Sequence, residues 1–251
     1  MIIFLTNDDG INAKQINIMI NKLQKIGEIY GVFPERERSG GSHAITLHKP
    51  LRANKEISQD KVKIWSSNGT PADCVLLGLF ALLPERPNIV ISGINRGYNL
   101  GCDIIYSGTV AGAREAALHD IPSIAISVPH NADVEDFEYA TDFLLKMIPN
   151  FIKIIPPSVF LNINIPPTKN RNNIDLEFTF QGKMHYKNII EKRIDPRAQE
   201  YFWVHGEAEL EDEEGSDIWA IKRGNISITP LQSNMTDYSF LKYLKDNFPY
   251  K

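Results

Sequence analysis

Three short polar segments of this chain contain side chains that could bind a metal ion. The segments are Asn7-Asp8-Asp9-Gly10, Ser39-Gly40-Gly41 and Gly93-Ile94-Asn95. Each lies downstream of an apolar run with the length and composition of a β-strand. In an open parallel sheet, ligands bind beyond the carboxyl ends of the strands, so we expect these segments to meet in one site.

Asp8 and Asp9 are adjacent carboxylates, which repel each other in one cleft unless a cation compensates. All the candidate ligands in the three segments carry oxygen. Carboxylates, a hydroxyl and an amide carbonyl suit Mg²⁺, Mn²⁺ or Ca²⁺, whereas zinc would prefer imidazole or thiolate. The residues therefore predict a divalent cation. The alternative is that the Asn-Asp-Asp-Gly turn is an ordinary strand-to-helix connection with an N-cap.

Ser107-Gly108-Thr109 opens a predicted alanine-rich helix that runs to about His119. The free N–H groups and the dipole of a helix N-terminus form a ready site for phosphate. Capping of the helix without a ligand is the alternative. A divalent cation beside such a helix end favours phosphoryl transfer to water, because the metal polarises the phosphoryl oxygen and orients or ionises the water.

The other candidate residues give weaker indications. His43 lies two residues after Gly41 and could donate a proton near the leaving group. Cys74 lies on an apolar helix and is predicted to be part of the core, and nothing near Cys102 marks it as a nucleophile. A metal-ligand spacing is lacking for His48, His119, His130, His185 and His205.

Up to residue 165, apolar runs of strand length alternate with segments of helical periodicity. Predicted strands are 2–6, 28–33, 88–92, 123–128 and 159–165, with an extended stretch over 44–64. Predicted helices are 16–26, 70–83, 107–119 and 133–148. Thr70 can cap the second helix, with Pro71 in its first turn and Asp73 completing a capping box. This alternation predicts an α/β fold, a mostly parallel sheet with helices on both faces.

The pattern changes after Pro166. Residues 176–180, 218–221 and 226–229 have strand character with no evident helix between them, and the acidic run 207–214 is predicted to be a solvated loop. Residues 237–248 could form a short amphipathic helix. We therefore expect a single domain over 1–251, in which 1–165 is the α/β core with the active site. Residues 166–251 are predicted to be a β-rich extension and C-terminal arm that mediate oligomerisation, since unpaired strand edges and exposed apolar residues require partners.

Composition excludes several classes of protein. The net charge is -4, with 27 basic and 31 acidic residues, which does not create a field that would follow a nucleic-acid backbone. No apolar run approaches the roughly 18 residues of a membrane span, and the N-terminus lacks the pattern of a secretory signal. With only two cysteines, reduced thiols in the cytoplasm are expected. A small anionic molecule remains the favoured substrate.

Eight motifs, in order along nearly the whole chain, resemble the SurE family, the stationary-phase survival proteins with 5′- and 3′-nucleotidase activity. The matching segments are TNDDG (6–10), SGGSHAITL (39–47), NGTPADCV (68–75), SGINRGYNLG (92–101), YSGTVAGAREA (106–116), PSIAIS (122–127), DPR (195–197) and SITPL (227–231). Two departures lie in the C-terminal part, where Ala198 follows DPR in place of the usual Gly and Ser216 replaces Thr in the GSD turn.

The resemblance implies a Rossmann-like α/β core and one divalent cation per subunit, Mg²⁺, Mn²⁺ or Ca²⁺, held at Asp8, Asp9, Ser39 and Asn95. It implies hydrolysis of nucleoside 5′- and 3′-monophosphates and of short polyphosphate. It also supports a homodimer with exchanged C-terminal arms, and a homotetramer is the other oligomer that we consider. Partners other than the nucleotide substrate, such as nucleic acids or membranes, are not expected.

We accordingly assign catalytic roles to Asp8, Asp9 and Asn95, with a water molecule as the attacking group. Phosphate or substrate contacts are assigned to Asn7, Gly40, Ser107, Gly108 and Thr109. A haloacid-dehalogenase-like phosphatase requires its second Asp two positions after the first, and a dinucleotide-dependent oxidoreductase requires G-x-G-x-x-G after the first strand. Neither pattern is present. A sensor that binds nucleotides or polyphosphate without catalysis is the alternative that remains.

Overall fold

The structure, a computed structural model, describes residues 1–169 and 174–248. Its strands are β1 (Ile2–Thr6), β2 (Glu28–Pro34), β3 (Ala53–Gln59), β4 (Val62–Ser67), β5 (Ile89–Arg96), β6 (Ser123–Val128), β7 (Val159–Asn164), β8 (Leu176–Phe178), β9 (Met184–Ile194), β10 (Glu200–Leu210) and β11 (Ile226–Gln232). Its helices are α1 (Gln15–Leu23), α2 (Pro71–Leu77), α3 (Asp103–Tyr106), α4 (Gly108–Leu118), α5 (Val134–Ile154), α6 (Asp217–Arg223) and α7 (Tyr238–Asn247). A π-helical turn over Gly78–Leu82 continues α2.

Nine strands form one sheet in the order β3-β4-β2-β1-β5-β6-β7-β11-β8. The run from β4 to β7 is parallel throughout. Strand β3 is antiparallel to β4, and β11 is antiparallel to β7 but parallel to β8. The predicted mostly parallel sheet is confirmed, and the carboxyl ends of β1, β2 and β5 lie side by side at one edge.

Helices cover both faces of this sheet. Ile3 and Leu5 of β1 pack in a buried cluster with apolar residues of α1 and α5. Ile2 and Phe4 pack in a second cluster with residues of α2 and α4. Successive side chains of a strand point to opposite faces, and full burial of each contributes about 1.5–3 kcal/mol. The predicted two-sided α/β architecture is therefore correct.

Helix ends follow the capping signals in most places. The Thr70 hydroxyl accepts from Asp73 N at 3.1 Å and the Asp73 carboxylate accepts from Thr70 N at 2.9 Å, so the predicted capping box is present. Helix α5 was expected to end at residue 148, but it continues through Pro149 to Ile154. The prediction was too short because the buried Phe151 extends the apolar face of this helix into the same core cluster.

The predicted strand over 218–221 is wrong, because these residues lie in α6. The Ser216 hydroxyl caps this helix by accepting from Trp219 N at 3.1 Å. Gly224 ends it in the left-handed region, with φ of 78°. A four-residue apolar run has the same sequence pattern in a strand and in a buried helix. Here the caps at Ser216 and Gly224 indicate the helix.

The predicted solvated loop over 207–214 is correct only after Leu210. Residues 200–210 form β10, which pairs with β9 in an antiparallel hairpin that makes a separate two-stranded sheet. The hairpin was not predicted, because its strands carry charged and apolar side chains on both faces instead of alternating. We call these two strands the β9–β10 ribbon.

The C-terminal part is divided between the main sheet and exposed segments. Strands β8 and β11 extend the sheet beyond β7, whereas α7, which confirms the predicted amphipathic helix, has no buried residue. Cys74 is buried as predicted, and both cysteines are free thiols. No helix within the described residues is long and apolar enough to cross a membrane.

Candidate active site

The turn after β1 places two carboxylates side by side. Asp8 is only 4% exposed. Its Oδ2 accepts from Thr109 N at 3.2 Å, and its Oδ1 accepts a short hydrogen bond from the Thr109 hydroxyl. Asn7 is buried and shapes the turn, since its Oδ1 accepts from Gly10 N at 3.0 Å and its Nδ2 donates to Gly10 O at 3.2 Å. Asn7 thus stabilises the turn that carries Asp8.

Asp9 is held by a residue of α1. Gln15 Nε2 donates a short hydrogen bond to Asp9 Oδ2 and a second bond, of 3.0 Å, to Ile94 O. Gln15 therefore ties the end of β1 to the end of β5, which carries Asn95. The Arg96 guanidinium is close enough to Asp9 for its positive charge to stabilise the carboxylate.

Both carboxyl groups have a raised pKa. For Asp8 the cause is burial, which outweighs the hydrogen bonds from Thr109 that favour the anion. For Asp9, burial and then the charge of Asp8 raise the pKa to about 6. The charge of Glu37 acts in the same direction on both groups. The turn thus concentrates negative charge that a cation would neutralise.

Ser39 and Asn95 line the same cleft as Asp8 and add a hydroxyl and a carboxamide to its polar groups. Ser39 Oγ donates to Glu37 Oε1 at 2.6 Å. Asn95 Nδ2 donates to Gly97 O at 2.8 Å, so that the carboxamide oxygen is the atom that remains for a ligand. Within the described residues, no cluster of three or more His, Cys, Asp or Glu side chains could hold a metal. A set of two carboxylates, a hydroxyl and an amide fits a hard divalent cation.

These residues open into two adjoining clefts. One, which we call the catalytic cleft, has a volume of about 230 Å³. The neighbouring cleft has a volume of about 330 Å³, and Asp9 lines it together with Gln15, Glu37 and Arg96. Arg96 lines both clefts. The catalytic cleft is lined by Asp8, Ser39, Gly40, Asn95, Arg96, Gly97, Tyr98, Asn99, Asp103, Tyr106 and Ser107. The structure therefore brings together Asp8, Ser39, Gly40, Asn95 and Ser107 as predicted.

The N-terminus of α4 contacts Asp8 directly. The Ser107 hydroxyl accepts from Val110 N at 3.1 Å and so caps the helix. Thr109 is buried and donates to Asp8 from both its N–H and its hydroxyl. A Cβ added to Gly108 would lie 2.9 Å from Asp8 Cβ, so only glycine permits this approach. Ser107 faces the catalytic cleft, whereas Gly108 and Thr109 position Asp8, and their contact with phosphate stays a prediction.

A buried polar network supports the segment that follows Asn95. Asn99 donates from its backbone N to Asn164 Oδ1 at 2.9 Å and from its side chain to Ser127 Oγ at 2.8 Å. Its carbonyl accepts from Asn162 at 2.8 Å and from Asn164 at 3.1 Å. Because each bond lies away from competing water, the ends of β6 and β7 fix the wall of the catalytic cleft.

His43 contacts α4 and does not line the catalytic cleft. His43 Nε2 lies 2.6 Å from Glu115 Oε2, and His119 Nε2 lies 3.1 Å from Glu115 Oε1. Burial raises the pKa of Glu115, but the hydrogen bonds and charges of both histidines bring it below its usual range. His43 therefore anchors the loop that carries Ser39 and Gly40, and its role as a proton donor stays a prediction.

Sequence reasoning missed several residues of the site. Gln15 and Glu37 carry no sequence signal, because their contacts with Asp9 and Ser39 exist only in the folded chain. Arg96 and Tyr98 lie in the segment that begins with Asn95, so the rule that strand ends carry ligands could have included them. The same rule could not have found Asp103 and Tyr106, which lie on α3.

Asp9→Asn is expected to stabilise the fold in the presence of a chelator. The folded pKa of about 6 exceeds the ordinary 3.8. The folded chain thus holds a proton between these values that the unfolded chain has lost, and stability falls as pH rises through this window. Asn keeps an acceptor for Gln15 without the charge. After a discount for solvent screening, we expect a gain of about 1 kcal/mol at about pH 7.5.

Urea unfolding of both proteins at about pH 4 and about pH 7.5 tests this expectation. The gain should nearly vanish at the lower pH, because Asp9 is then largely protonated in the folded chain and partly protonated in the unfolded one. Asp142→Asn, on the exposed side of α5, is the matched control and should show no such gain. A destabilised Asp9→Asn protein at the higher pH would contradict the raised pKa.

The fold and the catalytic cleft define an α/β protein whose candidate site is built from oxygen-bearing side chains at the carboxyl ends of parallel strands. Residues 3–188 match the family described as Survival protein SurE. The chain therefore belongs to the SurE family, as its motifs predicted.

Curated relatives and a solved structure are similar to this protein along nearly the whole chain. The protein is 45% identical to the 5′-nucleotidase SurE of Pelotomaculum thermopropionicum, over 98% of this chain and 94% of that one. It is 40% identical to the 5′-nucleotidase SurE of Synechococcus elongatus, over 97% and 98% of the two chains. The crystal structure of the SurE protein from Aquifex aeolicus superimposes with a TM-score of 0.82 at 37% identity, covering 98% of this chain and 99% of that one.

Proposed function

We propose that this protein is a metal-dependent nucleotidase that hydrolyses nucleoside 5′- and 3′-monophosphates to nucleoside and phosphate. The observation that carries the proposal is the pair of adjacent carboxyl groups of Asp8 and Asp9, which have raised pKa values and line two adjoining polar clefts. The names of the curated relatives support the nucleotidase activity. Short polyphosphate, which presents the same phosphoryl oxygens, is proposed as a further substrate.

One divalent cation, Mg²⁺, Mn²⁺ or Ca²⁺, would be held by the carboxylates of Asp8 and Asp9 and by the neutral oxygens of Ser39 and Asn95. When bound, such a cation polarises the phosphoryl oxygen and lowers the pKa of a water molecule. Thr109 and Gln15 fix the two carboxylates, so that the ligands are oriented before the cation arrives. Asn95 is assigned a catalytic role because it faces the same cleft as Asp8.

Substrate phosphate would be met by the donors of this chain at the cleft wall. Arg96 offers a guanidinium, and the backbone of Gly40 and the Ser107 side chain line the same space. A guanidinium binds phosphate oxygens in a bidentate manner, which aligns the substrate for in-line attack. Tyr98 and Tyr106 are the aromatic residues that line the cleft, and an aromatic ring can stack on any base. We therefore infer weak discrimination among bases.

The attacking group is proposed to be water, with no covalent phosphoenzyme. Both aspartates are engaged by hydrogen bonds and would be ligands, so neither is free to attack phosphorus. Ser39 is the competing nucleophile, because its hydroxyl donates a hydrogen bond of 2.6 Å to Glu37 Oε1 and Glu37 could act as its base. Acid quench with labelled substrate is expected to show no bound phosphate. Phosphate attached to Ser39, Asp8 or Asp9 would overturn the water mechanism.

A phosphate-release panel tests the proposed function. We expect release from adenosine 5′- and 3′-monophosphate with added Mn²⁺ and loss of activity in a strong chelator. Glucose phosphate should be a poorer substrate. Comparable rates on glucose phosphate and adenosine monophosphate would remove the nucleotidase assignment, and binding without release would favour a nucleotide sensor.

We also propose a homodimer or homotetramer, formed through the β9–β10 ribbon and α7. An isolated two-stranded ribbon is marginally stable in water, and exposed apolar patches mark interfaces. Residues 166–251 would accordingly be the oligomerisation extension of a core over 1–165. Apolar side chains exposed on the ribbon are Ile189, Ile190, Ile194, Phe202, Trp203 and Val204, and those on α7 are Tyr238, Phe240, Tyr243 and Leu244.

Light scattering at micromolar concentration is expected to show an oligomer for the full chain. Deletion of the residues after Thr236, combined with Trp203→Asp, should lower the mass to that of a monomer, because both apolar surfaces are then removed. Lys242→Ala is the control, because it removes a polar side chain of α7 and leaves the apolar ones in place. It should leave the mass of the oligomer unchanged. A full-length monomer whose mass is unaffected by the deletion would contradict the interface.

A further inference from the structure

A third cleft, of about 350 Å³, adjoins the face of α3 that does not line the catalytic cleft. Asp103 and Tyr106 of α3 line the catalytic cleft, whereas Ile104 and Ile105 of the same helix line this one. Its other walls come from α4, β7, β11, the segment after β11, and Gln181. We call it the Arg114 cleft, after the charged residue on its wall.

The floor of the Arg114 cleft is apolar. Ile104 and Phe160 are 4% and 1% exposed and belong to one buried cluster, against which Leu231 packs. A cleft of several hundred Å³ with an apolar floor and polar groups on its walls has the usual character of a small-molecule site. The polar residues that line this one are Arg114, Gln181, Gln232, Ser233 and Asn234. Its size and lining therefore suit the apolar body of a small ligand.

Arg114 is the only charged residue among the described residues that line this cleft. Burial of the guanidinium lowers the pKa of Arg114. Neither a hydrogen bond nor an ion pair joins this side chain to another described residue. A half-buried cation without a counter-charge is unfavourable, and a bound anion would compensate it. The charge of the cleft thus selects a ligand with a negative group.

A second polar group of the cleft also lacks a partner. The Ser233 hydroxyl is buried and finds no hydrogen-bond partner in the described part of the chain. Native structures leave few buried hydroxyls unsatisfied, so such a group calls for a specific explanation. An acceptor oxygen of a ligand in the Arg114 cleft would satisfy it after a small movement of the segment that follows β11.

We propose that the Arg114 cleft binds a small organic monoanion, a carboxylate joined to an apolar body, at a site separate from the catalytic cleft. The guanidinium of Arg114 holds the carboxylate, and Ile104, Phe160 and Leu231 hold the apolar body. One cation suits one negative charge, whereas a nucleotide would bring more negative charge than Arg114 alone can balance. Because binding is measured directly, the proposal is independent of the nucleotidase assignment.

Titration calorimetry of the full chain with 4-phenylbutyrate tests the proposal. The amide of the same acid, 4-phenylbutanamide, lacks the negative charge and therefore shows how much the charge contributes to binding. Inorganic phosphate is an anion without an apolar body and shows whether charge alone is enough for binding. We expect binding of the carboxylate, with the amide weaker by at least about tenfold, because a hydrogen bond to a charged group is lost. Inorganic phosphate should not displace the carboxylate.

Arg114→Met keeps the length and apolar stem of the side chain. It should lower the affinity for 4-phenylbutyrate by at least about tenfold. Removal of an unpaired charge should leave the melting temperature unchanged or higher, which separates loss of the site from unfolding. Arg52→Met makes the same chemical change at an exposed position and should bind like the unaltered protein. The proposal would be overturned if the acid and the amide bound equally well, or if Arg114→Met had no effect on the affinity. It would also be overturned if the acid did not bind, as is expected when a second copy of the chain covers the cleft.

Discussion

Asp8→Asn is expected to lower phosphate release from adenosine monophosphate by about three orders of magnitude, about 4 kcal/mol of transition-state stabilisation. Asn removes one of the two negative charges that would hold the cation. Its carboxamide still fits the α4 N-terminus, since Oδ1 can accept from Thr109 N while Nδ2 donates to the Thr109 hydroxyl. The loss is therefore chemical and does not come from unfolding. Excess Mn²⁺ should restore little activity.

Steady-state phosphate release and thermal unfolding, measured on the same preparations, check this result. Asp9→Asn should show a loss of similar size. The control Asp142→Asn removes an equal charge from the exposed side of α5, where Asp142 pairs with Lys22 at 2.9 Å, and should retain full activity. Retention of activity by Asp8→Asn, or by the unaltered protein in a strong chelator, would rule out the proposed metal site.

Gly108→Ala is expected to lower activity by about a hundredfold although it removes no hydrogen-bond donor or acceptor and no charge. The new Cβ would lie 2.9 Å from Asp8 Cβ and 3.1 Å from Asp8 Oδ2. Real Cβ atoms essentially never lie within 3.0 Å of another atom, so the 2.9 Å contact requires either α4 or Asp8 to move. A displacement of a catalytic group by even a fraction of an ångström is costly, because the proposed ligands act as a set.

Activity and metal affinity of Gly108→Ala, with unfolding measured in parallel, distinguish a displaced Asp8 from a damaged fold. Thr109→Ser is the matched control at the next position. It keeps the hydroxyl that donates to Asp8 and removes only a buried methyl group, so it should retain most of the activity. If Gly108→Ala were fully active with unchanged metal affinity, the close packing of α4 against Asp8 would have no role in the site.

Much of the architecture was predictable from local pattern. The apolar runs of the first 165 residues predicted the parallel strands, and Thr70 and Asp73 predicted where α2 begins. Errors occurred where a short segment is ambiguous by itself. Residues 218–221 could be strand or helix, and only the caps at Ser216 and Gly224 resolve the choice. The β9–β10 ribbon was missed because its pairing joins two segments without a local signal.

The sequence by itself determined the family, the α/β class and the candidate ligands Asp8, Asp9, Ser39 and Asn95. It could do so because these follow from residue types, spacing and motifs along a single stretch of chain. Only the tertiary structure decided which neighbours act on them. Thr109 reaches Asp8 across 101 positions of sequence, and Gln15 joins Asp9 to the end of β5. Such contacts depend on packing between distant elements, and so do the raised pKa values and the unpaired Arg114.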